Sequence, residues 1–169
     1  MAGMIDQLME VLSEQTERHT ELVGLSLEEK DAIIQNDTDA LQKLVNLKNM
    51  VITQSNRLEK QRLALVKDIA EVTGNANDDL TLADVIDILK DQPEEQKKLR
   101  EAGNRLKEAV GQLKEVNDVN KDLLETSIEF VEYSLNALRS TISPEPAEYP
   151  VRMQSPGGND GAGTFNTTS

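Results

Sequence analysis

The chain has 169 residues, a formal net charge of −13, 29% charged and 2% aromatic residues, no cysteine and one histidine. Disulfides, thiolate chemistry, Cys-ligated metal and multi-histidine metal sites are excluded, and the acidic balance argues against nucleic acid or an anionic membrane as partner. An apolar fraction of 37% with so few rings fits long helices packed through Leu, Ile and Val.

The N-terminus, MAGMIDQLMEVLSEQTERH, lacks the basic region and unbroken apolar stretch of a signal peptide. No segment approaches the roughly 20 apolar residues of a membrane span. A soluble cytoplasmic protein without membrane insertion is expected. The spacing predicts a first helix over about residues 2–36, with Ile5, Leu8, Leu12, His19, Leu22, Ser26 and Ile33 at alternating three- and four-residue steps. Gln15 and Glu29 interrupt that seam. NDTDAL then supplies a break with little loop, where Asn36 or Asp37 can cap the next helix, so an antiparallel hairpin is expected.

The second helix is expected over residues 38–73. Leu44, Val51, Leu58, Leu65 and Val72 repeat every seven residues, with Leu41, Lys48, Ser55, Arg62 and Ile69 between them. A flanking stripe of Leu47, Ile52 and Val66 predicts burial against more than one neighbour. Gly74 is placed as a C-cap. A short third helix follows over residues 81–91, with Thr81 as N-cap, Asp84 completing a capping box and Leu80 with Val85 as a staple. Its apolar face is Leu82, Val85, Ile86 and Leu89.

Pro93, Glu94 and Glu95 suit the start of a fourth helix, and no breaker follows until Ser143-Pro144, giving residues 93–142. At about 75 Å it outruns the first two helices, at about 52 Å each. It must project past the hairpin or be covered by the third helix. Residues 143–169 hold four of the five prolines, have no apolar period and read as a disordered tail. The expected fold is all-α: an antiparallel bundle of three long helices with coiled-coil character plus one short helix. By segment, residues 1–36 carry −6, 37–73 carry +1, 74–92 carry −4, 93–142 carry −2 and 143–169 carry −2.

Little in the chain points to catalysis. His19 lies in the polar run EQTERHTEL with no assignable acid or nucleophile beside it, so a structural role is expected. Asn75, Asn77 and Asp79 begin like a calcium loop, but Leu80 stands where glycine is required and Ile86 where a bidentate glutamate is required. There is no phosphate-binding glycine loop and no Glu-x-x-His pair. No cofactor or metal is expected, and no enzymatic activity.

The fourth helix changes character midway. Steps of four and three give Leu99, Gly103, Leu106, Val110, Leu113, Asn117, Asn120, Leu124, Ser127, Val131, Ser134 and Leu138 as its seam. From Asn117 onward four of these seven positions are polar. A second stripe of Val116, Val119, Leu123 and Phe130 runs beside it, and a third of Ile128, Leu135 and Ile142. A buried asparagine can fix register in a coiled coil at a cost in stability. A helix apolar on several faces also suits docking of another chain.

LVGLSLEEKDAIIQNDTDALQKLVNLK, RLEKQR, TLADVI and LKEVNDVNKDLLETSIEFVEYSLNAL together resemble the FlgN family of flagellar type III export chaperones. Leu58, Glu59 and Arg62 match its Leu-Glu-x-x-Arg segment. Asn117, Asn120, Leu123 and Leu124 match the Asn-x-x-Asn-x-x-Leu-Leu of its last helix, and the likeness covers residues 5–142. It implies a chaperone that binds the hook–filament junction proteins FlgK and FlgL, prevents their premature assembly and delivers them to the export gate, where FlhA is the docking component. It implies client binding by Leu123, Leu124, Phe130, Val131, Leu135 and Leu138, with Asn117 and Asn120 orienting the contact and Tyr149 docking at the gate. The alternative is a structural coiled-coil protein that self-associates as a homo-oligomer, its polar seam residues setting register.

Overall fold

A computed structural model of the chain describes residues 1–75 and 80–142. The described residues form four α-helices and a short 3-10 turn, with no strand among them. Helix α1 is Ala2–Ile34, α2 is Thr38–Thr73, α3 is Leu82–Ile88 followed by the 3-10 turn Leu89–Asp91, and α4 is Pro93–Ile142. The chain divides into two compact units, Met1–Val131 and Glu132–Ser169. The expected tail, residues 143–169, lies outside the described residues, as do positions 76–79 of the rejected calcium loop.

The turn between α1 and α2 explains why α1 stops two residues before the expected end. Asn36 adopts a left-handed conformation, φ 54°. The Asp37 N–H then donates to the Ala32 carbonyl at 2.9 Å and the Asn36 N–H to the Ile33 carbonyl at 3.1 Å. These are the paired bonds of a Schellman end. The next residue starts α2, where the Asp37 carboxylate accepts from the Ala40 N–H at 3.0 Å. Asn36 thus ends one helix and Asp37 begins the other. Gly74 ends α2 in the same way, at φ 68°.

Cross-helix bonds fix the directions. Gln15 donates to Glu59 and Arg18 to Gln54, while Lys48 donates to Glu29. As the α1 partner advances along α1, the α2 partner retreats, so α2 is antiparallel to α1. Ile5 and Leu8 share a cluster with Leu99 and Ala102, whereas Ser26 pairs with Asn117 and Asn120. Helix α4 therefore runs parallel to α1, and the order is up, down, up.

The largest buried side chains gather at one end of the first unit. Ile5, Leu8 and Leu12 of α1 meet Val66 and Ile69 of α2, Val85 and Leu89 from the short helix and its 3-10 turn, and Leu99 and Ala102 of α4. Each such aliphatic removed from water stabilises by roughly 1.5–3 kcal/mol. The capping box of α3 is formed: the Thr81 N–H donates to the Asp84 carboxylate at 2.7 Å and the Asp84 N–H to the Thr81 hydroxyl at 3.3 Å. The Thr81 hydroxyl also donates to that carboxylate, at 2.6 Å, and this bond foremost, with that from the Thr81 N–H, holds the Asp84 carboxyl below the usual carboxylate range. Gln96 ties the first turn of α4 to this helix by donating to the Ile86 carbonyl at 3.0 Å. Gly103 makes room for it as well, since a Cβ there would lie 2.7 Å from Leu82 Cδ2. The short helix thus covers the start of α4.

Three seam readings need correction. Val72 is exposed, while Val66, Ile69 and Ala70 are buried. The seam of α2 rotates after Leu58 because α3 and α4 add a second set of neighbours there. Leu47 and Ile52, expected to be buried by a further neighbour, are exposed; only Val66 of that stripe lies in the shared core. On α4 the inner column beside Leu99, Leu106 and Leu113 is buried Ala102 and Ala109 with half-buried Val116; of the expected positions Gly103 is half-buried, and Val110 and Asn117 are exposed. Small side chains occupy the inner face, and Val110 points outward.

Candidate functional site: the last helix

Past its middle, α4 is held to the hairpin by polar groups. Ser26 Oγ donates to Asn117 Oδ1 at 3.0 Å. Asn120 Nδ2 donates to the Ser26 carbonyl at 2.8 Å and to Glu29 Oε2 at 3.3 Å. Lys48 of α2 donates to the same carboxylate oxygen. The five residues link α1, α2 and α4 in one polar layer, with Ser26 fully buried and Asn120 only 3% exposed. Both asparagines, expected to orient a partner, make hydrogen bonds within the chain, Asn120 buried and Asn117 exposed. They set where α4 sits on α1, as a buried amide in a coiled coil does. Asn120 Oδ1 is buried without a hydrogen-bond partner among the described residues.

A second polar layer lies nearer the middle of the hairpin. Arg62 grips Glu59 with two bonds, at 2.8 and 2.7 Å, and buried Gln15 donates to the same carboxylate at 2.9 Å. The Arg62 hydrogen bond is the main cause that lowers the Glu59 pKa, outweighing partial burial. The Leu-Glu-x-x-Arg segment is therefore a brace: Leu58 is buried and the charged pair clamps α1. His19 Nδ1–H donates to the Gln15 carbonyl at 2.8 Å, a bond within α1.

Asn120 is the last buried residue on α4 among those described. The pairing of Ser26 with residues 91 and 94 positions later brings the end of α1 at Ile34 level with residues 125–128. The inner column continues as Leu123 and Ser127, both half-buried. Beside it in this unit stand Leu124, Ile128, Phe130 and Val131, all exposed, from 38% for Leu124 to 69% for Phe130. In the second unit Tyr133, Leu135, Leu138 and Ile142 are exposed.

Leu124, Ile128 and Val131 follow steps of four and three, and Leu135, Leu138 and Ile142 follow steps of three and four. Each set is an exposed apolar seam on helical spacing. Sequence reasoning divided these residues between two stripes and omitted Ile128, Tyr133 and Ile142 from the candidate surface. The signal for Ile128 and Ile142 was present, in the run that joins them to Leu124 and Leu138. Tyr149 lies outside the described residues.

No group of three or more His, Cys, Asp or Glu able to hold a metal occurs among the described residues. No described helix is long and apolar enough to cross a membrane. The arrangement offers apolar contact along a helix.

No curated protein and no solved structure matches the chain. The family described as FlgN protein matches residues 1–151, which takes in all four helices, the Leu-Glu-x-x-Arg brace and both asparagines. The chain belongs to the FlgN family, a family of flagellar export chaperones rather than of enzymes.

Proposed function

We propose that this chain is a cytoplasmic export chaperone for the hook–filament junction proteins FlgK and FlgL. It binds their helical segments through Leu123, Leu124, Phe130, Val131, Leu135 and Leu138, to which the exposure of Ile128 and Ile142 adds two positions. The observation that carries the reading is the exposed apolar spacing of Leu124, Ile128 and Val131, one residue-step away from the column that α4 turns toward α1. A client helix with its own three-and-four seam can pack there as knobs into holes. Masking that client seam keeps the client from assembling early, and the chain's charge of −13 keeps the complex soluble. Delivery to the export gate through FlhA, with Tyr149 as a contact, completes the proposal.

The test is co-expression with FlgK or FlgL and measurement of the mass in solution. Leu124→Glu with Leu135→Glu should abolish the complex and leave most of the helicity in circular dichroism. Collapse of the helix signal would mean that these side chains are core. A chain ending at Ile142 should retain its client and lose only delivery to the gate. A tight homo-oligomer whose mass neither client changes would favour the self-associating coiled coil instead.

A further inference from the structure

The hairpin carries another feature, on a side that α4 does not line. On α1, Glu10, Glu14, Glu17, Glu21, Glu28 and Asp31 recur at steps of three and four, interrupted only by Gly24, and all are exposed. This acidic ridge is about 32 Å long at 1.5 Å per residue. On α2, Leu47, Met50, Gln54, Gln61 and Ala64 follow steps of three and four with Arg57 in the gap, and all are exposed, Met50 at 64%. Shallow depressions lie between the two rows. One is floored by Val11 and Leu65, one by Leu58, and one by Ala32 and Leu44. The first two join at Glu14 and Gln61. All their lining residues belong to α1, α2 and the turn between them.

The ridge costs the helix stability. Glu10 with Glu14, and Glu17 with Glu21, are like charges four apart, each worth a few tenths of a kcal/mol against the helix. Arg18 offsets this locally, bonding Glu21 at 2.9 Å and lying 3.8 Å from Glu17. No ion pair to Glu10, Glu14, Glu28 or Asp31 is formed among the described residues. A merely solvated face would interleave the two signs, as α4 does with Glu94, Glu95, Lys97 and Lys98.

We propose that this outer groove of the hairpin receives a cationic amphipathic helix of a partner protein. The partner lays aliphatic side chains at three-and-four spacing on Val11, Leu58, Leu65, Leu44 and Leu47. It sets Lys or Arg along the edge that faces the α1 ridge. On the other edge Met50, Gln54 and Gln61 make neutral contacts, while Arg57, with Arg18 reaching across to Gln54, and Lys43 mark where the partner places uncharged or acidic side chains. A second copy of this chain is a poor occupant, because it brings −13 to a wall that is already acidic. The groove uses none of the residues proposed for the client.

The probe is a fluorescent synthetic helix of about six turns, with leucines at three-and-four spacing, lysines on one flank and glutamines on the other. Binding to the full chain is read by anisotropy at roughly 0.15 M salt. Glu14→Lys with Glu28→Lys should weaken it about tenfold, the sum of a few partly exposed charge pairs. Leu47→Ser with Met50→Ser should weaken it to a similar degree, and a peptide with glutamates for lysines should not bind. Asp118→Lys with Asp122→Lys, on exposed positions of α4, should leave the affinity within about twofold. Equal loss from the α4 reversals, or none from Leu47→Ser with Met50→Ser, would mean diffuse attraction and overturn the proposal. Sedimentation showing a dimer of the chain that those serine variants dissolve would overturn it in favour of a second copy.

Discussion

Replacing Asn120 by leucine should stabilise this protein. The amide is 3% exposed and donates to the Ser26 carbonyl at 2.8 Å and to Glu29 at 3.3 Å. Losing two such bonds costs about 1–3 kcal/mol. Neither partner is stranded, because the Ser26 carbonyl remains within α1 and Glu29 keeps Lys48. On the other side, the unpartnered Oδ1 disappears, which returns about 1–3 kcal/mol. A buried leucine adds about 1.5–3 kcal/mol, and its helix preference over asparagine adds a few tenths. Crowding of the extra methyl groups removes about 1–3 kcal/mol. The balance is a gain of about 0.5 kcal/mol, read as a rise of roughly 1–3 °C in Tm by circular dichroism. The same change makes Leu99, Leu106, Leu113 and residue 120 alike, so a slip of α4 by seven residues no longer strands an amide. Sedimentation should then find more than one species. A loss of stability greater than about 1 kcal/mol, a fivefold change in the folding equilibrium, would refute the reasoning. The amide would then be worth more than any apolar replacement.

Gly24→Ala and Gly111→Ala should each raise stability by about 0.5–1 kcal/mol in thermal unfolding, since both lie inside helices and a Cβ at either meets nothing within 4 Å. Gly103→Ala should gain less or nothing, because its Cβ must displace Leu82. Arg62→Ala should cost about 0.5–1 kcal/mol at neutral pH, an exposed-pair value because the Glu59 side chain is 45% accessible. Since the pairing lowers the Glu59 pKa in the fold, its stabilisation is present above the unfolded carboxylate pKa and fades as pH falls through the lower folded value. Urea titrations of both proteins from neutral to acid pH should therefore converge at the acid end.

The helices were legible because their ends carry their own chemistry. Asp37, Gly74, Thr81 with Asp84, and Pro93 each act locally, through a bond or a φ angle that neighbouring residues settle. The inner face of α4 was harder to read. Steps of four-then-three pass through Gly103, Val110 and Asn117, and steps of three-then-four through Ala102, Ala109 and Val116. Hydrophobicity favours Val110 over Ala109, yet the helix buries the alanine. Which of the two columns faces inward depends on where α3 and the hairpin lie. Val72 misleads for the same reason. It continues the heptad of α2, but the added neighbours at that end take Ile69 and Ala70. The roles of Asn117 and Asn120 turned on a residue 91 and 94 positions away, which no local pattern reports.

The order of side chains along α4 carries a thermodynamic gradient. Its start holds Leu99 and Ala102 in the shared core and is roofed by α3. Its middle is fastened by Asn117 and Asn120, whose bonds are directional but whose net worth is small. Beyond them the inner column is Leu123 and Ser127, half-buried, beside exposed Leu124, Ile128 and Val131. Local opening costs least where buried apolar contacts are fewest. On the proposed function, a client that packs on Leu124 and Ile128 meets a stretch of α4 with no buried residue among those described. It need not compete with the core around Ile5 and Leu99, because the polar layer at Ser26 separates the two. The asparagines thus fix the register of α4 from within, and the proposed client surface begins one turn after them.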